Sequence, residues 1–394
     1  MKKLLIILVI LLIGIGMVFS IHQKIKKEKL VEKPTKEEMI VPARDKEKET
    51  VKQPLKIMTI EEIKAMGFGI ARGEGLGGPD VQLKEPIFES PSLITGAISG
   101  VEFVIVLNNT YSTLNVIKEE KIETLISTCN NCLTPYTISP NQAVIGFKKI
   151  EEGDDGQFTD QFPAIYDLIT NRLISLHKSV PLSGGVSFSN DGNTAFTIED
   201  ELVIKAGIEG PEIKRINLGT YSNIAPISPD GRFAAYNDNN DQLWLINLET
   251  KEKFSFTDKK YGYFWPIWAP DSQKIAYRSL GGNLRVYDLI NNTTYNFSDL
   301  AIGSFPSWSL DSKYLLFALH KVEELKEFHN SDLFIATFDG TQIIQLTDTK
   351  NIFEMEPSFS SDGKKIVFKT FDEIYAGEFE NMKLKNIVKL FSKK

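Results

Sequence analysis

A short turn signature recurs along the chain at nearly constant intervals, and a chain built that way has few ways to fold. Four segments align directly: Ile227-Ser228-Pro229-Asp230-Gly231, Trp268-Ala269-Pro270-Asp271-Ser272, Trp308-Ser309-Leu310-Asp311-Ser312 and Phe359-Ser360-Ser361-Asp362-Gly363. Phe188-Ser189-Asn190-Asp191-Gly192 is a fifth copy and Ile138-Ser139-Pro140-Asn141 a degenerate sixth. The anchors at 141, 191, 230, 271, 311 and 362 are separated by 50, 39, 41, 40 and 51 residues. Asp bonds its own backbone and Gly accepts positive φ, so each signature closes a tight hairpin. An aromatic stands six residues after most anchors: Phe147, Tyr236, Tyr277, Phe317 and Phe368, with Phe196 one residue early. A polar gap follows, then a second apolar run such as Leu243-Trp244-Leu245-Ile246 or Leu284-Arg285-Val286-Tyr287, a further turn and a last strand.

Four short strands in roughly 40 residues make one propeller blade. Such a sheet is apolar on both faces, and neighbours in a closed ring cover both while leaving only short edges. An earlier unit lacks the Asp-Gly turn but supplies strands at Val101 to Leu107, Leu114 to Ile117 and Ile122 to Ile126, after a Pro91-Ser92-Leu93 that parallels Pro306-Ser307-Trp308. The expected fold is therefore all-β: a seven-bladed β-propeller of four-stranded antiparallel blades, at about 86–128, 133–179, 184–219, 224–258, 264–300, 305–349 and 356–391. Six blades plus an entry strand is the alternative.

At these residues the chain resembles the TolB-like, WD-repeat-like propeller repeat. The consensus runs Trp-Ser-Pro-Asp-Gly, then an apolar strand ending in an aromatic, then a strand ending in Asp-Leu. Ser228-Pro229-Asp230-Gly231 with Ile246-Asn247-Leu248, and Trp268 to Asp271 with Val286-Tyr287-Asp288-Leu289, match it best. The resemblance covers roughly residues 130–380. It implies a periplasmic scaffold that binds other envelope proteins. Similar repeats form the substrate-gating propellers of prolyl-oligopeptidase-type peptidases.

Charge narrows the function classes. The net charge is −7. Residues 21–56 are net basic, so the acidic excess sits in residues 57–394, which repels phosphate backbones and argues against nucleic-acid binding. Cys129 and Cys132 are the two cysteines. Spaced C-x-x-C in a loop, with no further ligands at metal spacing, they read as a local disulfide or two unpaired thiols.

The N-terminal 21 residues form a signal-anchor or signal peptide. Leu4 to Ile21 is uncharged and apolar after Lys2-Lys3, long enough for a short membrane-spanning helix, with Ser20 the alternative cleavage site. No cysteine lies near its end, which excludes a lipoprotein anchor. Lys24, Lys26, Lys27 and Lys29 would keep the rest in the cytoplasm by the positive-inside rule. Long C-terminal domains translocate regardless, so the expectation is a propeller held outside the cytoplasm, or secreted after cleavage. Residues 22–56, charged and carrying Pro34, Pro42 and Pro54, read as a flexible linker. Residues 57–85 read as a lead-in: a helix from Ile60 to Met66 with a Thr59/Glu62 capping box, ended by Gly67, then a Gly-rich passage. The propeller fills residues 86–394.

No Gly-x-Ser-x-Gly elbow or separate α/β domain is visible, so a peptidase activity is not expected. The regular Asp residues are explained by turn chemistry. His320 and His329 read as surface residues. Two insertions break the 40-residue step and are the candidate binding-face loops. The first, Lys148 to Gln161, carries Glu151, Glu152, Asp154, Asp155 and Asp160; the second, Leu319 to Ser331, carries Glu323, Glu324 and Glu327 and a candidate helical turn at Val322 to Phe328. Both lie between second and third strands, hence on one face. Calcium is a candidate ligand of the first, without EF-hand spacing; a solvated acidic loop is the other reading. The expected function is non-catalytic binding of an envelope or cell-surface protein, a peptide or a glycan. The alternatives are a lyase or hydrolase of sugars or lactones with its site in the channel, or a structural spacer.

Overall fold

In the repeated turns a serine hydroxyl does as much as the carboxylate. Ser228 Oγ donates to Asp230 Oδ1 at 2.6 Å and accepts the Phe233 amide at 2.9 Å, while Asp230 Oδ1 also accepts the Arg232 amide at 3.0 Å. The same hydroxyl–carboxylate bond recurs from Ser189 to Asp191, Ser309 to Asp311 and Ser360 to Asp362 at 2.5–2.7 Å. The turn is thus saturated from within, and its aspartates are structural, as turn chemistry predicts.

The computed structural model describes residues 56–68 and, apart from short connecting stretches, residues 93–392. All lie in the compact unit Leu55–Lys394. The chain begins with β1 (Ile57–Met58) and α1 (Ile60–Ala65). Seven antiparallel sheets follow. Sheet one is β2 (Leu93–Ile98), β3 (Val101–Asn108), β4 (Thr113–Lys118) and β5 (Lys121–Ser127). Sheet two is β6 (Leu133–Ile138), β7 (Val144–Glu152), β8 (Phe158–Asp167) and β9 (Arg172–Ser175). Sheet three is β10 (Ser183–Phe188), β11 (Thr194–Glu199), β12 (Leu202–Gly207) and β13 (Glu212–Asn217). Sheet four is β14 (Phe233–Asn237), β15 (Leu243–Asn247) and β16 (Lys253–Ser255). Sheet five is β17 (Tyr263–Trp268), β18 (Lys274–Ser279), β19 (Asn283–Asp288) and β20 (Thr293–Ala301). Sheet six is β21 (Ser307–Trp308), β22 (Tyr314–Glu323), β23 (Glu327–Thr337) and β24 (Ile343–Gln345). Sheet seven is β25 (Met355–Phe359), β26 (Lys365–Lys369), β27 (Glu373–Glu380) and β28 (Lys383–Ser392).

Five of the seven sheets have the expected four strands, and two depart from it. In sheet four the first strand is reduced to a single bridge, Ile227 to Ala234. Sheet six gains a fifth strand, because β1 pairs with the outer edge of β24. First strands of neighbouring sheets touch one another, β6 with β10, β21 with β25 and β25 with β2, which is how sheets converge on an axis. Contact of β2 with β25 and β26 closes the ring of this β-propeller face to face.

Apolar clusters fill the gaps between sheets. The aromatics placed by the repeat are all inside: Phe147, Phe196, Tyr236, Tyr277, Phe317 and Phe368. Ala235, Leu243, Leu245 and Phe256 of sheet four meet Tyr263, Trp268, Ile275 and Tyr277 of sheet five. Leu316, Leu333 and Ile335 of sheet six meet Phe359, Ile366 and Phe368 of sheet seven. Hydrogen bonds stitch the same seams. Trp268 Nε1 donates to Pro226 O at 2.9 Å, and Trp308 Nε1 to Ile267 O at 3.2 Å.

The two turns that carry Ser where glycine would be expected have a reason. Ser272 and Ser312 sit at φ +61° and +58°, a left-handed backbone that disfavours a side chain. Their buried hydroxyls accept the amides of Asp230 at 3.0 Å and Asp271 at 2.9 Å, each from the preceding sheet. Ser272 and Ser312 therefore trade backbone strain for a bond across the seam.

The lead-in is part of the ring wall. The capping box exists, with the Thr59 amide on Glu62 Oε2 at 2.9 Å and the Glu62 amide on Thr59 Oγ1 at 3.2 Å. The helix stops at Ala65, one residue short of the expected end, and Met66 caps it. Met58, Ile63 and Phe68 are buried with Phe297, Phe317 and Phe334 between sheets five and six. Phe68 lies edge-on to Phe334 at 5.3 Å, and its backbone bridges Lys321.

Both insertions differ from expectation. They are long hairpins: β7 and β8 pair through Glu151 with Asp160 and Glu152 with Phe158, and β22 and β23 through Val322 with Phe328 and Glu323 with Glu327. Glu151, Glu152, Asp160, Glu323 and Glu327 are thus strand residues. Both ends of the helical turn expected at Val322 to Phe328 are strand instead, Val322 pairing with Phe328 and Glu323 with Glu327, since a ladder satisfies backbone groups that a single helical turn would leave open. Asp154, Asp155, Glu324, Cys129 and Cys132 lie outside the described residues. So do residues 1–55, with the apolar run and the linker. Among the described residues no helix is long and apolar enough to cross a membrane.

Two substitutions test this packing. Phe68→Ala, outside every repeat, should lower stability by about 3–5 kcal/mol, the usual cost of emptying a buried aromatic site, read as the shift in a urea unfolding curve. Ser272→Ala should cost about 1–2 kcal/mol, and Ser272→Gly less, because glycine relieves the left-handed strain.

Candidate functional site

The connections between second and third strands, and those from one sheet to the next, share one face of the ring. On this face the first strands of sheets five and seven are bulged. Trp265 in β17 and Glu356 in β25 each precede a proline and each take a left-handed backbone, φ +55° and +49°. At both points the pairing with the next strand slips, between Phe264 and Ile267 and between Met355 and Ser358. A left-handed non-glycine residue costs on the order of 1–3 kcal/mol and persists only where its surroundings hold it. A bulge re-aims the side chain it carries.

Trp265 stands between three neighbours. The Phe305 ring is 5.3 Å away, the Phe264 ring 6.4 Å, and the Arg278 guanidinium lies 4.8 Å over the indole. Arg278 comes from the end of β18, and Phe305 from just before β21. On sheet six the next residue is His320 of β22. Its ring is 6.2 Å from Phe353, which in turn is 5.3 Å from Phe371. An aromatic strip broken by one cation thus crosses sheets five, six and seven. Leu280, Ile352 and Phe371 are 57%, 40% and 51% exposed along it.

Glu356 is buried against Lys369, Oε1 to Nζ 2.9 Å. Burial depresses Lys369, and the Glu356 carboxylate opposes that shift. His320, expected at the surface, is 8% exposed. Burial first and the Arg278 charge second hold it at about 4. Its place on the long hairpin hid this: the hairpin extends the strand, so the ring stays within the wall.

Beneath the strip lies a carboxyl pair that sequence reasoning missed. Asp332 of β23 and Glu354 of the connector before β25 are 0% and 2% exposed. Asp332 accepts the Thr349 amide at 2.9 Å and hydroxyl at 3.2 Å, and Gln345 Nε2 at 2.9 Å. Glu354 is bonded to the Thr347 hydroxyl. Burial, with Asp332 nearby, raises Glu354 to about 7; Asp332 is raised too, by burial and by Asp348. Glu354 falls outside every repeat position, which leaves no sequence signal for it. Enclosed and hydrogen-bonded, these carboxyls hold the connector rather than face a substrate.

The five described carboxylates expected to form the binding face, Glu151, Glu152, Asp160, Glu323 and Glu327, lie on the strands of the two long hairpins. Among the described residues no group of His, Cys, Asp or Glu is arranged to hold a metal ion.

No sequence-family profile matches the chain, and no curated protein matches it. Among solved structures it is similar to TolB from Acinetobacter baumannii, at 18% identity over 66% of each chain with a TM-score of 0.46. It is also similar to a protein described as TolB from Agrobacterium tumefaciens, at 18% identity over 57% of this chain and 86% of that one, TM-score 0.42. Tricorn protease is similar at 13% identity over 79% of this chain and 36% of that one, TM-score 0.50. The likeness to tricorn protease, at that identity, speaks for the fold alone. Sheet order and ring together define a β-propeller, and its turn signature resembles the TolB-like, WD-repeat-like repeat.

His320 gives a signed prediction. Its value is depressed on folding, so its stabilisation is present above about 6.5 and lost as pH falls toward about 4. His320→Gln should flatten that acid-side loss, at most on the order of 3 kcal/mol, in urea midpoints measured from pH 7 to pH 4.

Proposed function

We propose that this propeller is a non-catalytic binding scaffold whose docking face is the strip from Trp265 to Phe371. The observation that carries the reading is the pair of strained, bulged positions, Trp265 and Glu356, on the same face as three exposed apolar side chains. Trp and Arg are the side chains that dominate protein interfaces, and a desolvated aromatic beside a cation is a usual anchor. A partner protein presenting an apolar segment is the occupant this chemistry favours over a glycan.

The same reading takes Leu4 to Ile21 as the membrane tether, with the propeller outside the cytoplasm and an envelope or cell-surface protein as partner. Cleavage after Ser20 would release it instead. The acidic ends of the two long hairpins, Glu151 to Asp160 and Glu323 to Glu327, would rim the same face, where they would favour a basic partner surface or a calcium ion.

Site-specific photo-crosslinking in the producing cell tests the face. A benzoylphenylalanine at position 371 should give a discrete crosslinked band that Trp265→Ala weakens at least fivefold. The same probe at Ile290, exposed on the opposite face, should not give that band. Equal yields from both positions would refute the proposal, as would indifference to Trp265→Ala.

A further inference from the structure

The connector that runs from Leu346 to Glu354 is fastened to β23 by an unusual set of bonds. Ser331 and Phe353 form a parallel bridge in an otherwise antiparallel wall. The Ser331 amide donates to Ile352 O at 3.0 Å, and the Glu354 amide returns to Ser331 O at 3.3 Å. The Ser331 hydroxyl donates to Glu354 O at 2.6 Å, and Asn330 Nδ2 to Thr349 O at 2.6 Å. The Leu333 amide donates to the Thr347 hydroxyl at 2.8 Å, and that hydroxyl meets Glu354. Thr349 bonds Asp332 through both its amide and its hydroxyl. Within this set the Thr347 hydroxyl and the amide and hydroxyl of Thr349 end on two buried carboxyl groups, Glu354 and Asp332.

Two carboxylates in one enclosed network repel each other, and among the described residues no cation forms an ion pair with either. Asp348, on the connector, adds to the negative charge felt by Asp332. On sheet seven, Glu356 is held by Lys369, and Glu373 by Lys389 at 2.8 Å and the Tyr375 hydroxyl. On sheets five and six, Arg278 bears on His320, which stays neutral above about 4. Glu356 and Glu373 thus have cations of their own, and the cheapest state of the Asp332 and Glu354 pair keeps one of the two protonated.

We infer that Asp332 and Glu354 form a proton-dependent latch: with one of the two buried carboxyls protonated they hold the connector to β23, and losing that proton to solvent base loosens the connector. The connector carries Ile352 and Phe353, which belong to the aromatic strip, so the latch sets whether half of the strip is in place. That last consequence rests on the binding face proposed above; the latch itself does not. The proton count balances simply, one proton leaving to bulk buffer as pH rises. The sign follows, since a carboxyl raised on folding stabilises the closed form at low pH and withdraws that support as pH climbs from about 4.5 to about 7.

Hydrogen–deuterium exchange of the full chain, followed by mass spectrometry and corrected for intrinsic exchange, reads the latch without any partner. Between pH 4.5 and pH 7, protection of peptides spanning 330–333 and 346–355 should fall, by up to about tenfold per pH unit, and should level off above about 7. Peptides within 274–288 should keep theirs. In Glu354→Gln the fall should vanish, and Asp332→Asn should abolish it equally if the glutamine variant does not fold. Constant protection in the natural chain overturns the inference by itself, and so does an undiminished fall in either folded variant. Because exchange needs no ligand, a failed latch and a missing partner give separate results.

Discussion

Everything in this molecule depends on sheets that are apolar on both faces finding cover on both. A single blade cannot do so, and a sandwich covers only one side of each sheet. Arrangement around an axis solves the problem, and each seam then holds one compact cluster, as between sheets four and five or six and seven. The energetic weight lies in these seams, at about 1.5–3 kcal/mol for each large side chain withdrawn from water. The hydrogen bonds from Trp268 and Trp308 into the preceding sheet fix registration between neighbours.

The ring was readable because its physics repeats. Each Ser-x-Asp turn, each aromatic six residues on and each apolar run solves the same local problem, so one copy explains the next. Departures from the period were not readable. Sheet four keeps only a bridge where a first strand was expected, and sheet six takes β1 from far upstream, a pairing no local pattern announces. The two insertions broke the period, and a broken period looks like a loop even where the strands merely run on. Ser272 and Ser312 look like degenerate turn residues until the amide across the seam is seen.

The candidate site was less legible than the fold. Acidic residues drew attention to the long hairpins, yet the strip is made of residues whose sequence positions look like ordinary inner-strand aromatics. Trp265, Phe305 and Glu356 occupy aligned positions before proline, and only backbone geometry reveals that two of them are turned left-handed. His320 looked like a surface residue because it flanks an insertion. The Asp332–Glu354 pair joins a strand to a connector, and so depends on two segments whose proximity is a product of the ring. Sites of this kind arise where repeats meet, and a repeat-by-repeat reading passes over them.

The docking of β1, α1 and Phe68 at the junction of sheets five and six has a mechanical side. Tension on the chain upstream of Lys56 would first load the two-residue ladder to β24 and the buried side chains of Met58, Ile63 and Phe68. The place where sheet one meets sheet seven would be spared, since it carries no strand from the leader. A rupture would therefore begin as the peeling of a strap from the rim, and the annulus behind it would outlast the loss of its fastening.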